Sequence, residues 1–228
     1  MPVIVFASSK GGVGKSSCSV LLACELSRRG AEVVVLDADP NQPIAAWARR
    51  AGKPEKLEVI SDVTEDTVID QIDEAAARVP FVIVDLEGTA SLTVAYAVSR
   101  ADLVVIPCQG SQLDAAEAAK AIKLIRKQEK AFNRTIRHAI LFTRTSPAIQ
   151  PRTLRHIRTD FIGHGVPVLE THLHEREAFR AVFSFGGTLD GLKPDQVGGL
   201  EPAIRNVQAL TSEIVETLRQ AQTKEAAA

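Results

Sequence analysis

The chain has 228 residues, of which 45 % are apolar and 24 % are charged. This composition excludes a disordered or fibrous protein, and the length suits one α/β domain with a well-buried core. Because the formal net charge is −1, any binding of nucleic acid has to come from a local patch, and no apolar run reaches the roughly 18 residues that span a bilayer.

Apolar runs and helical periodicities alternate along the chain. Strands are predicted over residues 3–7, 32–36, 57–60, 81–86, 103–107, 137–142 and 166–169. Helices are predicted over residues 16–29, 43–51, 64–78, 112–131, 152–162, 175–183 and 201–220. The strands show no in-out alternation, which favours a mostly parallel, twisted sheet with helices on both faces. We expect a single α/β domain over residues 1–222, followed by a flexible tail at 223–228.

A glycine-rich loop links the first strand to the first helix, and it reads Ser9-Lys10-Gly11-Gly12-Val13-Gly14-Lys15-Ser16. Glycines at this junction let the backbone wrap a phosphate group, and the helix N-terminus adds partial positive charge. The strict phosphate-loop pattern has glycine where Ser9 stands. We expect Lys15 to hold the β- and γ-phosphates of ATP, Ser16 to bind Mg²⁺ and Ser17 to reach the α-phosphate. The predicted nucleotide-binding residues are Gly11, Gly12, Val13, Gly14, Lys15, Ser16 and Ser17.

Acidic residues end two of the apolar strands. The second strand runs into Asp37, which is followed by Asp39 and a proline, and the fourth strand carries Asp85. Ligands of open α/β sheets bind at such strand ends, so the sequence predicts a ligand site there, with Asp85 reaching Mg²⁺. Asp85 reads as the Walker B aspartate of a P-loop NTPase. Glu87 follows it, and the pattern leaves open whether Glu87 tunes hydrolysis or faces water.

The early lysine of the loop carries a family resemblance. With Lys10 ahead of Lys15, the loop resembles the deviant Walker A group of the ParA/MinD family, which includes the nitrogenase iron protein. The resemblance implies an ATP-dependent homodimer in which Lys10 crosses the interface to the partner's nucleotide. It also implies that Asp37 supports the Mg²⁺ shell, that Asp39 orients the attacking water and that hydrolysis is slow. The candidate catalytic residues are therefore Lys10, Lys15 and Asp39, and the candidate metal residues are Ser16, Asp37 and Asp85.

The second half of the chain is basic. Residues 120–158 hold eleven lysines and arginines and one acidic residue. ParA proteins bind double-stranded DNA without sequence preference, and the resemblance implies the same here. The candidate DNA-binding residues are Arg152, Arg155, Arg158, Arg176, Arg180 and Arg205. Lys123, Arg126, Lys127 and Lys130 line the helix predicted before them.

Two smaller features lie in the second half of the chain. Thr143 and Arg144 end a predicted strand, and we expect them near the adenine base. His172 and His174 stand two residues apart with no third ligand nearby, which favours a structural role. Residues 167–179 look like short ParA relatives, among them plasmid-partition ATPases and the ParA-like protein that assists T-DNA transfer.

The resemblance predicts a switch ATPase. It would segregate or position a plasmid, a chromosome region or a large protein cargo, and a ParB-like or cargo-adaptor partner would stimulate hydrolysis. We expect a cytoplasmic, nucleoid-associated protein with no membrane attachment. Two alternatives stay open: an accessory protein for DNA transfer, and an ATP-dependent metabolic ligase of the same fold, which would not need Lys10.

Overall fold

A seven-stranded parallel sheet forms the centre of the computed structural model, which describes residues 1–88 and 91–226. The strands are β1 (Val3–Phe6), β2 (Val33–Ala38), β3 (Leu57–Ile60), β4 (Phe81–Leu86), β5 (Leu103–Cys108), β6 (His138–Thr145) and β7 (Leu173–His174). Their order across the sheet is β3-β2-β4-β1-β5-β6-β7, and every pairing is parallel. The predicted α/β class and parallel sheet are confirmed.

In the described part of the chain, eight α-helices cover the two faces of the sheet. They are α1 (Lys15–Arg28), α2 (Pro43–Ala48), α3 (Val68–Arg78), α4 (Leu92–Arg100), α5 (Gln112–Phe132), α6 (Arg152–Gly163), α7 (Glu177–Phe185) and α8 (Leu200–Ala226). Helices α1, α2, α7 and α8 form one layer, and α3, α4, α5 and α6 form the other. None of these helices, as far as the chain is described, is both long enough and apolar enough to cross a membrane.

The sheet has one hydrophobic core on each face, and alternating side chains of a strand pack into one core or the other. In β1, Ile4 and Phe6 pack into the α1 layer, whereas Val3 and Val5 pack into the α3 layer. This follows from the two-residue period of a strand. Because both sets are apolar, the strand reads as a continuous hydrophobic run and is buried on both sides.

Some elements differ from the prediction. Residues 166–169 make only an isolated bridge between Ile140 and Val168, because Pro167 has no N–H and offers only its carbonyl to Ile140. The seventh strand forms later, at Leu173–His174. Helix α4 was not predicted, since its β-branched and aromatic residues have weak helix propensity; packing between α3 and α5 stabilises it.

The last helix extends past its predicted end at residue 220 and runs to Ala226. The backbone of residues 223–226 is therefore helical. Residues 227 and 228 lie outside the described part of the chain, and the flexible tail over 223–228 stays a prediction.

Candidate functional site

The predicted loop and carboxylates meet at the carboxyl ends of β1, β2 and β4, which are neighbours in the sheet. A cleft of about 380 Å³ opens there. Its lining residues are Gly11, Gly12, Gly14, Lys15, Ser16, Ser17, Asp39, Pro40, Asn41, Glu87, Gly88 and Arg144. This is the edge at which open α/β sheets bind ligands.

The glycine-rich loop wraps tightly because two of its glycines are left-handed. Gly12 has φ +74° and Gly14 has φ +103°, and α1 begins directly after Gly14. The loop is held from below by Thr143, whose Oγ1 donates to the Val13 carbonyl at 2.8 Å. Val13 itself is buried, so among the predicted nucleotide-binding residues it contributes backbone.

Lys15 is buried at the start of α1, with 6 % of its surface exposed. Its Nζ donates to the Lys10 carbonyl at 3.3 Å. Burial lowers the pKa of Lys15, while the charges of Asp85, Asp39 and Glu87 act against that shift. The ammonium group is thus placed at the base of the cleft among carboxylates, where a phosphate would meet it.

Asp37 and Asp85 lie side by side, since they are register partners on β2 and β4. Asp37 Oδ2 accepts hydrogen bonds from the backbone N–H groups of Ile44 at 2.9 Å and Ala45 at 2.8 Å. These two bonds fix the start of α2. Burial nevertheless raises the pKa of Asp37 above its ordinary value.

Asp85 is fully buried and accepts a hydrogen bond from Ser19 Oγ at 3.2 Å. Burial and, behind it, the neighbouring Asp37 raise the pKa of Asp85 to about 7, against the hydrogen bonds of Ser16 and Ser19 and the charge of Lys15. Asp37 and Asp85 are buried neighbours, so a cation between or beside them would offset the repulsion of their negative charges.

One oxygen of each carboxylate is set up for a metal ion. Asp37 Oδ1 and Asp85 Oδ2 are buried, and neither has a hydrogen-bond partner within the described residues. Ser16, at the wall of the cleft, adds a hydroxyl close to Asp85. Mg²⁺ prefers such oxygen ligands. Ser16, Asp37 and Asp85 therefore fit the predicted magnesium site.

Asp39 and Glu87 both line the same cleft. Asp39 is partly buried, and its Oδ1 accepts from the backbone N–H and the Nδ2 of Asn41, both at 2.9 Å. Next to Glu87, Gly88 lies against the loop: a Cβ there would meet the Gly11 backbone nitrogen at 3.2 Å. Because Gly88 has no side chain, the segment that follows β4 can lie against the phosphate loop.

Arg144 lines the cleft, and its backbone conformation is irregular. Its φ is +52°, and the pairing of β6 with β7 shifts register between Thr143 and Thr145. A left-handed conformation is uncommon for arginine and marks a bulge that re-aims a side chain. The sequence predicts Arg144 near the adenine base, which stays a prediction, and it gives no sign of this conformation.

Lys10 makes a contact that the sequence did not predict. Its Nζ lies 2.5 Å from Asp114 Oδ1, at the start of α5. The Asp114 side chain is 3 % exposed, whereas that of Lys10 is 40 % exposed. Burial alone would raise the pKa of Asp114, but hydrogen bonds from Lys10 and Ser111 outweigh it and hold that pKa below its ordinary value. Ser9 is also held by α5, through a 2.6 Å bond to Glu117 Oε2.

The six candidate DNA-binding arginines lie on both helix layers. Arg152, Arg155 and Arg158 are on α6, and the other three are on the opposite layer, at α7 and α8. Arg158 pairs with Glu170, Arg180 with Glu175 and Glu177, and Arg205 with Glu201. Arg152 and Arg155 are exposed and make no ion pair with the described residues. Arg176 has a buried Nε that meets no hydrogen-bond partner there.

Comparisons with known proteins agree on one group. A family model described as VirC1 protein matches residues 1–219. The protein named ParA of Rhizobium radiobacter is 43 % identical over 221 residues, which cover 97 % of this chain and 99 % of that one. Among solved structures, the McdA(D38A)–ATP complex of Cyanothece superposes with a TM-score of 0.74 at 14 % identity, covering 94 % of this chain and 96 % of that one.

A second solved structure shows the same fold. The septum site-determining protein MinD of Pyrococcus horikoshii OT3, complexed with Mg-ADP, has a TM-score of 0.70 at 13 % identity. The match covers 93 % of this chain and 95 % of that one. At these identities the likeness shows the fold alone.

Proposed function

The chain belongs to the VirC1 family, within the ParA/MinD group of P-loop ATPases, and we propose that it is an ATP-dependent dimerising switch. In this proposal the ATP-bound dimer binds double-stranded DNA without sequence preference and positions a cargo. The observation that carries it is the convergence of Lys10, Lys15, Asp37, Asp39 and Asp85 on one edge of the sheet.

ATP with Mg²⁺ is the proposed ligand of the cleft. The backbone of residues 11–17 would hold the phosphates, with Lys15 at the β- and γ-phosphates, and Ser16, Asp37 and Asp85 would hold the metal. When bound, Mg²⁺ neutralises charge on the phosphate oxygens. The fold neighbours named above were solved with ATP and with Mg-ADP, which supports this choice.

Hydrolysis in this site rests on positioning more than on covalent chemistry. Asp39 lines the cleft and is oriented by Asn41, so its carboxylate is the group we assign to the attacking water. Glu87 shares the cleft and adds negative charge near the same place. No arginine is assigned to the transition state, and we expect slow turnover that a partner protein stimulates.

Lys10 is the residue we assign to the partner subunit's nucleotide. It is partly exposed and directly precedes the cleft residue Gly11. Among the described residues, its ammonium group pairs with one carboxylate, that of Asp114. When two copies face each other across the nucleotides, Lys10 of each copy would leave Asp114 and pair with a phosphate of the other copy's ATP. The dimer would then form only with ATP.

DNA binding is proposed for the α6 surface in the first place. Arg152 and Arg155 are exposed there and free of ion pairs with the described residues, whereas Arg158, Arg180 and Arg205 are already paired with glutamates. Doubling this surface in a dimer would raise the number of neutralised phosphates. The proposed setting is the cytoplasm, on the nucleoid, with a ParB-like or cargo-adaptor partner.

A role in DNA transfer is the second candidate, and the resemblance of residues 167–179 to a ParA-like T-DNA transfer protein favours it. Such an accessory protein would bind one DNA element whatever the nucleotide. The metabolic-ligase alternative has less support, since the 43 % identical relative is named ParA.

Binding of a random 60-base-pair duplex separates these functions. The switch predicts binding with ATP and Mg²⁺, a steep loss of affinity with salt, and release with ADP. Binding that ignores the nucleotide would contradict the switch. Footprinting on transfer-origin DNA with and without ATP would then identify an accessory protein by protection of one element in both states.

A further inference from the structure

A second cavity, larger than the nucleotide cleft, lies between α5 and α6. Its volume is about 490 Å³, and it shares no lining residue with the nucleotide cleft. The walls are apolar, with Ala119 and Ile122 from α5 and Ile157 and Phe161 from α6. Because the two sites share no lining residue, the groove between α5 and α6 is a separate candidate binding surface.

Small side chains keep the groove open along α5. Ala115, Ala116 and Ala119 line it, and the last two are exposed. Leu113 is 76 % exposed and stands one turn before Ala116, so it lengthens the apolar surface. A large side chain at the alanines would fill the space, whereas alanine leaves a trough into which another element can pack.

Unpaired positive charge lines one rim. Lys123 and Arg126 are exposed, lie one turn apart on α5, and make no ion pair with the described residues. Lys120, one turn earlier, is instead paired with Glu117 at 2.7 Å. The acidic residue of the groove, Asp160, lies across it on α6 and is 3.5 Å from the ring of His156. The α5 rim is therefore basic.

We propose that this groove docks an amphipathic, acidic helix of a partner protein. Apolar side chains of that helix would pack on the floor, and its carboxylates would pair with Lys123 and Arg126. The lined part of α5, from Gln112 to Arg126, is four turns long, or about 21 Å, which matches a partner helix of about 14 residues. Laying an apolar helix face into such a groove is a common recognition mode.

The same features disfavour other occupants. Small-molecule sites place a few polar groups where they converge on the ligand, but here the charges sit on long, exposed side chains at the rim. Duplex DNA would use Lys123 and Arg126 but would leave the apolar floor uncovered. The floor and the basic rim together select an apolar and acidic surface.

Two synthetic peptides test the chemistry of the groove with the full chain. Both have 16 residues, leucine at i, i+3, i+4 and i+7, and a fluorescent label; one carries glutamate on the flanks of the leucine face and the other carries lysine. We expect the glutamate peptide to bind with a micromolar Kd and the lysine peptide roughly tenfold more weakly or worse, measured by anisotropy. Equal binding of the two peptides, or no binding of either, overturns the proposal.

Matched variants locate the binding. Ala119→Arg fills the groove and adds one positive charge. Because attraction for carboxylates is not reduced, the expected loss of at least tenfold in affinity for the glutamate peptide would come from the filled space. Ala131→Arg makes the same change at an exposed position of α5 outside the groove and should change nothing. Lys123→Glu combined with Arg126→Glu should reverse the preference between the peptides. Thermal melting of each variant verifies the fold, and Ala116→Arg replaces Ala119→Arg if that protein fails to fold.

The affinity of the same variants for duplex DNA is the remaining measurement. Ala119→Arg should leave DNA affinity unchanged or slightly higher, because the substitution adds one positive charge and removes none. Peptide binding that is unaffected by both Ala119→Arg and Ala116→Arg would contradict the proposal. A loss of DNA binding in these two variants that matches the loss of peptide binding would assign the groove to nucleic acid and also overturn it.

Discussion

Lys10 Nζ lies 2.5 Å from Asp114 Oδ1 of its own chain, so the lysine that we assign to the partner's nucleotide is ion-paired in cis. Asp114 is buried, and apart from Lys10 it is hydrogen-bonded to Ser111. Moving Lys10 away would leave a buried carboxylate short of a partner, at a cost of about 1–3 kcal/mol. In the proposed switch, that cost would oppose dimerisation until ATP offers phosphates to the lysine.

Asp114→Asn should lower the ATP concentration needed for dimerisation. The substitution keeps the shape of the side chain and removes the charge that holds Lys10. Light scattering during an ATP titration measures the midpoint, which we expect to fall roughly three- to tenfold, or about 0.7–1.4 kcal/mol. Glu117→Gln is the matched control, since Glu117 contacts Ser9 on the same loop. An unchanged midpoint for Asp114→Asn would show that the ion pair does not oppose dimerisation.

Asp85→Asn should stabilise the protein in EDTA while abolishing Mg²⁺-dependent ATP binding. Asp85 has a folded pKa of about 7, above the unfolded value of about 3.9. Between these values the folded state holds a proton that the unfolded state lacks, so its contribution to stability falls as pH rises through that window. Asparagine does not titrate.

The gain in the free energy of unfolding of Asp85→Asn over the unchanged protein should therefore be small near pH 4.5 and reach about 1–2 kcal/mol at pH 8. Urea unfolding at the two pH values measures it. Asp62→Asn, at an exposed carboxylate outside the cleft, is a control that should show little change. A gain at pH 4.5 equal to that at pH 8 would mean that the Asp85 charge is not the cause.

Gly88→Ala should weaken nucleotide binding without unfolding the protein. The new methyl group would lie 3.2 Å from the Gly11 backbone nitrogen, closer than ordinary contact, and would push the phosphate loop. We expect roughly tenfold weaker binding of a fluorescent ATP analogue, about 1.4 kcal/mol. Gly163→Ala meets nothing within 4 Å and serves as the control. Unchanged affinity in Gly88→Ala would show that the loop yields at no cost.

Arg152→Ala combined with Arg155→Ala should reduce DNA binding and its dependence on salt. Each arginine that neutralises a phosphate contributes about one unit to the slope of log K against log salt. Arg180→Ala combined with Arg205→Ala removes the same charge from residues that are already paired with glutamates, and should have the smaller effect. The reverse ranking would place the DNA surface on the α7 and α8 layer.

The nucleotide site was predictable because its chemistry is local. A strand, a glycine-rich loop, Lys15 and a helix follow one another in the chain, and the carboxylates Asp37 and Asp85 end neighbouring strands. Parallel strands bring their carboxyl ends to one edge, so the sequence predicts that these groups meet. The comparisons show the family and the fold.

Contacts between distant segments were not predictable. The pair Lys10–Asp114 joins residues 104 positions apart, and nothing in either local pattern indicates it. The left-handed Arg144 depends on a register shift between β6 and β7. Helix α4 forms because its neighbours pack on it, against the weak propensity of its own residues. The six arginines were treated as one patch, whereas tertiary structure divides them between two layers.

Sedimentation of Asp39→Ala, the variant expected to bind ATP without hydrolysing it, tests the central claim most directly. With ATP and Mg²⁺ the account predicts a species of twice the mass of the chain, and with ADP a single subunit. Lys10→Ala in the same background should remain a single subunit with ATP. A single subunit for Asp39→Ala at saturating ATP, with nucleotide shown to be bound, would contradict the account.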